Sequence, residues 1–248
     1  MKLQFESNQQ FQLDAVQAVV DLFDGQPNDA GVMETAVFRG YGHLISELGT
    51  GNALMLADGS LLANVQAVQE RNQIEKTAQL EGRHFSVEME TGTGKTYVYL
   101  RTIYELNARY GWTKFIIVVP SVAIREGVLK NLEVTRDHFA AIYGNAPCDP
   151  WVYDSKQVSR LRSFGTSSTL QILVINIDAF NKPANNVIHQ DNDKLSGHKP
   201  IEFIQATQPV VIIDEPQNME SEPAKKAIES LNPLFTLRYS ATHRNPYN

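Results

Sequence analysis

The spacing of apolar positions changes several times along the chain. Between 11 and 23, Phe11, Ala15, Val19 and Leu22 recur along one helical face, and Asp24-Gly25-Gln26-Pro27 ends the run. From 28 to 80 the pattern breaks into short strand-like pieces (33–38, 43–47 and 53–56), an Asp58-Gly59 turn and a helix predicted from Leu61 onward. Phe85, Val87 and Met89 then alternate with polar residues as a strand does. Behind a glycine-rich loop, Leu100, Ile103, Tyr104 and Tyr110 fall on or near one face of a helix. The remainder alternates regularly: a strand at 115–119, a helix at 123–132, strands at 139–143, 171–175 and 209–213, a helix at 223–231 and a closing strand at 235–239. Strands alternating with helices predict an α/β fold, a mostly parallel sheet covered on both faces with its site at the strands' C-terminal ends.

Composition narrows the class without naming a chemistry. The 248 residues suit one large domain or two small ones, with 42% hydrophobic and 20% charged residues and no repeat or low-complexity tract. A net charge of -6 argues against bulk attraction to nucleic acid but leaves room for a local basic groove. The single cysteine, Cys148, excludes an intrachain disulfide and is expected to be an inert thiol in a loop. The first residues lack a signal peptide's apolar core, and the longest apolar runs are too short to span a membrane; the expected location is cytoplasmic. The polar stretch 181–200 carries Lys182, Lys194, Lys199, His189 and His198. It reads as a solvated loop, or alternatively as a loop facing nucleic acid.

The chemistry concentrates at Met89-Glu90-Thr91-Gly92-Thr93-Gly94-Lys95-Thr96. Strand, glycine-rich loop, Gly-Lys-Thr and helix form the phosphate-cradling P-loop. Gly92 and Gly94 let the backbone curl so that N–H groups, including those of Thr91 and Thr93, point at phosphate oxygens. Lys95 is placed to reach the β- and γ-phosphates and Thr96 to ligate Mg²⁺, with the helix N-terminus adding its positive end. One letter departs from GxxxxGK[ST], because Met89 stands where glycine is usual. Gly49-Thr50-Gly51-Asn52 repeats the Gly-Thr-Gly without the lysine and is expected to be a plain turn. A second strand, 210–213, delivers Asp214 and Glu215 at its end, where Asp214 would hold metal and Glu215 would orient or deprotonate the attacking water.

These motifs resemble those of superfamily 2 helicases and translocases: the P-loop as motif I, Asp214-Glu215-Pro216-Gln217 as motif II and Ser240-Ala241-Thr242 as motif III. Phe11-Gln12-Leu13-Asp14-Ala15 is similar to that superfamily's glutamine motif, which implies that Gln12 contacts adenine. Pro120, Ser121 and Arg125 stand where motif Ia would touch a DNA backbone, and Gln217, Ser240 and Thr242 would couple hydrolysis to movement. The P-loop, the 120–127 segment and Asp-Glu-Pro-Gln together resemble the Res subunit of type III restriction–modification enzymes, in which Met89 is at home.

The resemblance implies a three-layer RecA-like P-loop NTPase domain over 1–248: an adenine-motif helix (1–25), a small inserted subdomain (26–80) and the core (81–248). It implies ATP and Mg²⁺ as cofactors, double-stranded DNA and a modification (methyltransferase) subunit as partners, and DNA-dependent ATP hydrolysis as the activity. The family's second RecA-like domain, with its arginine-bearing motif, and its nuclease domain are not in this sequence. The chain is therefore expected to be an N-terminal fragment with negligible ATPase activity alone. Two alternatives stay open: the motor of another superfamily 2 DNA enzyme, such as a type I restriction motor, and a nucleotide-binding module that hydrolyses nothing. Asp-Glu-Pro-Gln counts against an RNA helicase. His243 would couple or merely pack, and Arg244 is a weaker phosphate-contact candidate than Arg125.

Overall fold

The structure is a computed structural model, and it describes residues 6, 8–28, 45–182 and 186–241. The helix α1 (Gln10–Asp21) is followed by two short strands, β1 (Ile45–Ser46) and β2 (Gly49–Thr50), and by α2 (Asp58–Arg71). Then come β3 (His84–Glu88), α3 (Lys95–Tyr110), β4 (Lys114–Val119) and α4 (Val122–Ile142). The remaining elements are β5 (Cys148–Val152), α5 (Arg160–Thr166), β6 (Leu170–Asn176), α6 (Pro200–Ala206), β7 (Val210–Asp214), α7 (Glu222–Glu229) and β8 (Phe235–Ser240). The main sheet has six strands in the order β3-β8-β7-β4-β6-β5, every neighbouring pair parallel. This is the α/β class with a parallel sheet that the strand–helix alternation predicted.

Period-2 side-chain alternation divides the sheet's residues between two cores. Phe115, Ile117, Val119, Ile172, Val174 and Ile212 face one way, toward the helices α1 to α4. Ile116, Val118, Leu173, Ile175, Val211 and Ile213 face the other, toward α5, α6 and α7. At the base of the first core Phe23 stacks on Phe235 with centroids 4.3 Å apart, and Trp112 meets Phe23 edge-on at 5.1 Å. That cluster fixes α1 against the P-loop strand's end of the sheet. Among the described residues, no helix is long and apolar enough to cross a membrane.

Several expectations need correction. The predicted strand at 139–143 is the last turn of α4, which runs 21 residues to Ile142. Its buried residues, Val128, Leu132, Thr135 and Phe139, keep helical spacing, so the short apolar run continues a helix face. The second of the three strands between the P-loop and the Asp-Glu pair is instead β5, so Cys148 lies in a strand and not in a loop. With Asp149 and Pro150 in it, β5 suits only a sheet edge, where a missing N–H does no harm. Burial pushes the Cys148 thiol up to about 11, which keeps it protonated and inert.

Gly49-Thr50-Gly51-Asn52 is not a plain turn. It contains β2, pairs with β1 and is pinned to the core through Asn52. The buried Asn52 amide donates to the carbonyls of Lys114 (2.9 Å) and Gln208 (3.2 Å), while its oxygen accepts from the N–H groups of Thr113 (3.0 Å) and Lys114 (3.2 Å). The 53–56 piece forms no strand, the 33–38 piece lies outside the described residues, and of 43–47 only Ile45–Ser46 is an observed strand. The polar stretch 181–200 is anchored by the buried Ile188 and Leu195, each in a short 3₁₀ turn.

Candidate nucleotide site

The P-loop joins β3 to α3 along the expected line. Gly94 caps α3 at φ +86°, and Gly92 sits at φ +82° with open space where a Cβ would point. Both angles lie in the left-handed region that glycine adopts at little cost. Met89 does not take a positive φ. Its N–H donates to the Ser240 carbonyl at 3.0 Å and its side chain is buried in the first core. A residue with an ordinary backbone and a buried side chain has no need to be glycine, which explains the departure from the usual motif. Thr93 closes the loop by donating its hydroxyl to the Glu90 carbonyl at 2.6 Å.

Parallel pairing of β3 with β8 and of β8 with β7 brings the Asp-Glu pair to the same end of the sheet. Gln12, Gly92, Gly94, Lys95, Thr96, Asp214 and Glu215 line one cleft of about 870 Å³. Lys95 Nζ stands 3.8 Å from Glu215 Oε1, an ion pair spanning the loop and the strand end. Glu215 has φ +56°, the left-handed region, unusual for a residue with a side chain. Its N–H donates to the Tyr239 carbonyl at 3.2 Å, and Gln217 donates its amide to Glu215 Oε2. Strain held in place by such bonds is common where a side chain is aimed for chemistry.

Asp214 is less exposed than a strand-end residue facing a cleft suggests, at 6%. Burial pushes its carboxyl up to about 6; the Glu215 charge adds to this, while a hydrogen bond from Tyr99 and the Lys95 charge oppose it. Tyr99, on α3 one turn after Thr96, donates its hydroxyl to Asp214 Oδ2 at 3.2 Å. Nothing in the bare P-loop motif signals this tyrosine, because its partner is 115 residues away in sequence. Tyr97 and Asn131 also line the cleft and were not singled out from the sequence.

Gln12 lines the cleft and donates its amide to the Thr93 carbonyl at 2.9 Å, so α1 touches the phosphate loop directly. Thr91 is exposed on the loop, and Ser240 is buried beside Met89. Thr242, His243 and Arg244 lie outside the described residues. Pro120, Ser121 and Arg125 sit at the C-terminal end of β4 and the start of α4. Ser121 uses its hydroxyl as the helix cap, accepting from the Ile124 N–H at 3.3 Å. Arg125 pairs with Glu126 at 2.9 Å on the rim of a neighbouring cleft of about 810 Å³ that Tyr153 and Arg160 also line. The three residues predicted to touch DNA are therefore together, and Ile124 between them lines the nucleotide cleft.

Among curated proteins, the chain is 36% identical over 178 residues to the type III restriction-modification enzyme StyLTI Res subunit of Salmonella typhimurium, spanning 64% of this chain and 18% of that protein. It is 30% identical over 216 residues to the EcoPI Res subunit of Escherichia phage P1, spanning 78% of this chain and 22% of the other. The chain thus spans about a fifth of the length of these relatives. Among solved structures, the Sulfolobus solfataricus SWI2/SNF2 ATPase core in complex with dsDNA is similar at 13% identity and a TM-score of 0.45, over 67% of this chain and 29% of that one. A nuclease-deletion mutant of the type ISP restriction-modification enzyme LlaGI is similar at 16% identity and a TM-score of 0.41, over 75% and 17%. Residues 60–245 match the family model described as the type III restriction enzyme, res subunit. A match over most of the chain, including the P-loop and the Asp-Glu pair, shows that this chain belongs to the type III restriction enzyme Res subunit family.

Proposed function

We propose that this chain is the ATP-binding motor domain of a DNA-dependent ATPase and translocase within a type III restriction endonuclease. The observation that carries the reading is the convergence, in one cleft, of a left-handed glycine loop, Lys95, Thr96 and the Asp214-Glu215 pair. Thr96 at the start of α3 and Asp214 at the end of β7 line the same cleft, so two oxygen donors of the kind Mg²⁺ takes face it. Bound there with ATP, the ion would neutralise charge on the phosphate oxygens. The loop's N–H groups and Lys95 hold the β- and γ-phosphates. Glu215, backed by Gln217, orients the attacking water and takes its proton. Gln12 reads the adenine edge while its bond to Thr93 ties α1 to the loop. Gln217, Ser240 and Thr242 pass the state of the site onward.

Pro120, Ser121 and Arg125 are the proposed contacts to a duplex backbone, and the modification subunit is the proposed protein partner of the whole enzyme. Lys95 is the one basic residue among the described residues that line the cleft. Arg238, two residues before the Ser-Ala-Thr segment, is engaged with Glu220 at 3.6 Å. An arginine supplied from outside these residues is worth about 10³–10⁵ in rate in related phosphoryl-transfer enzymes. The chain alone is therefore expected to bind Mg·ATP and to hydrolyse it negligibly. Calorimetry with Mg·ATP, followed by phosphate-release assays with and without duplex DNA, tests this. Absence of nucleotide binding overturns the site, and robust turnover by the chain alone overturns the need for an external arginine.

A further inference from the structure

We propose that Tyr99 is a positioning residue for the metal end of this site, its hydroxyl holding the Asp214 carboxylate in the arrangement that receives Mg²⁺. The inference rests on the ATP-site reading above and adds to it a residue that no motif contains. Tyr99 is fully buried on α3, and its hydroxyl donates to Asp214 Oδ2 at 3.2 Å, joining α3 to the end of β7. Thr96 lies one turn before Tyr99 on the same helix, at the start of α3. A phenol has a single proton. Given to Asp214 Oδ2, that proton fixes the plane of the carboxylate and leaves Oδ1 for a cation.

The tyrosine itself is held in place. Its ring meets Tyr239 edge-on, with centroids 5.5 Å apart, and Tyr239 donates its hydroxyl to Thr102 Oγ1 at 3.2 Å. Thr102 in turn donates to the Val98 carbonyl at 2.9 Å. Phenylalanine would fill the same space without bringing a polar atom to a buried position, so packing alone does not account for tyrosine here. Groups that orient metal ligands in this way typically change metal affinity by about 10–100-fold when removed.

The test is Tyr99→Phe in this chain, with a fluorescent ATP analogue titrated in EDTA and then against Mg²⁺. We expect unchanged affinity in EDTA and an Mg²⁺ half-saturation raised about 10-fold or more. Tyr99→Phe added to Asp214→Asn should cost nothing beyond Asp214→Asn alone, because Tyr99 acts through that carboxylate. An unmoved Mg²⁺ half-saturation overturns the proposal. Equal weakening with and without metal, or loss of cooperative thermal unfolding, does so too by making the hydroxyl a structural group. Lys95→Ala separates the two readings. If the parent chain binds no nucleotide, or binds it equally well without Lys95, the ATP site falls and takes this inference with it. If binding depends on Lys95 while Tyr99→Phe leaves the Mg²⁺ titration unmoved, only the role of Tyr99 falls.

Discussion

Gly49 and Gly165 meet backbone to backbone. A Cβ on Gly49 would lie 2.3 Å from the Gly165 carbonyl oxygen, and one on Gly165 would lie 2.3 Å from the carbonyl oxygen of Leu48. This contact docks the β1–β2 hairpin on α5. Gly49 also has φ +144°, which a side chain disfavours.

Gly49→Ala and Gly165→Ala are each expected to destabilise the fold by about 2–4 kcal/mol, since the atoms in the way are backbone and cannot swing aside. Gly127→Ala is the contrast. Gly127 lies exposed within α4 with nothing within 4 Å of a Cβ, so alanine should stabilise by about 0.5–1 kcal/mol. Denaturant midpoints of the three variants check both signs.

Lys95→Ala should weaken Mg·ATP binding by about 1.5–3 kcal/mol, the range for a lost charge-assisted hydrogen bond. The fold should be unaffected, because the partner released is Glu215, 3.8 Å away and open to the cleft. Calorimetry on the variant is the measurement, and unchanged affinity would remove the P-loop from the site.

Glu215→Gln and Asp214→Asn should separate by role. Glu215→Gln is expected to keep Mg·ATP affinity and to lower turnover about 10²-fold or more in any form of the protein that hydrolyses ATP. Asp214→Asn should lose the Mg²⁺-dependent part of binding. Equal binding losses in the two variants would contradict the division between metal holder and water handler.

Lys114 gives a pH dependence whose sign follows from its burial. The side chain is fully buried, with Nζ donating to the Phe164 carbonyl at 2.7 Å and to the Ser167 carbonyl. Burial lowers its pKa from 10.5 to about 8. Below about 8 the lysine is charged in both folded and unfolded chains and the cost of burying the charge is fully present. Between about 8 and 10.5 the folded chain releases its proton first, so stability rises with pH. Relative to Lys114→Met, the parent chain should gain about 1–3 kcal/mol between pH 7.5 and 9.5. Paired denaturation curves at both pH values isolate this, since the carbonyls left unpaired in the variant cost the same at each.

The sequence alone determined what depends on local pattern and spacing. Near-continuous apolar runs at 115–119, 171–175 and 209–213 stated the parallel strands, because strands buried on both faces need apolar residues on each side. The Gly-Lys-Thr loop, followed downstream by the Asp-Glu pair, pointed to the phosphate chemistry proposed above. Tertiary structure decided the rest, where a residue's meaning depends on a partner far along the chain. Phe139 is helical because it completes the face begun by Val128 and Leu132. The 148–152 segment, broken by Pro150, is a strand only because β6 supplies a sheet edge that tolerates it. Gly49 and Asn52 read as a turn until Gly165 and Lys114 are beside them. Tyr99 reads as one more core residue of a helix. Only the fold carries the end of β7 to its hydroxyl, because a hydrogen bond reaches about 3 Å in space and is blind to separation in sequence.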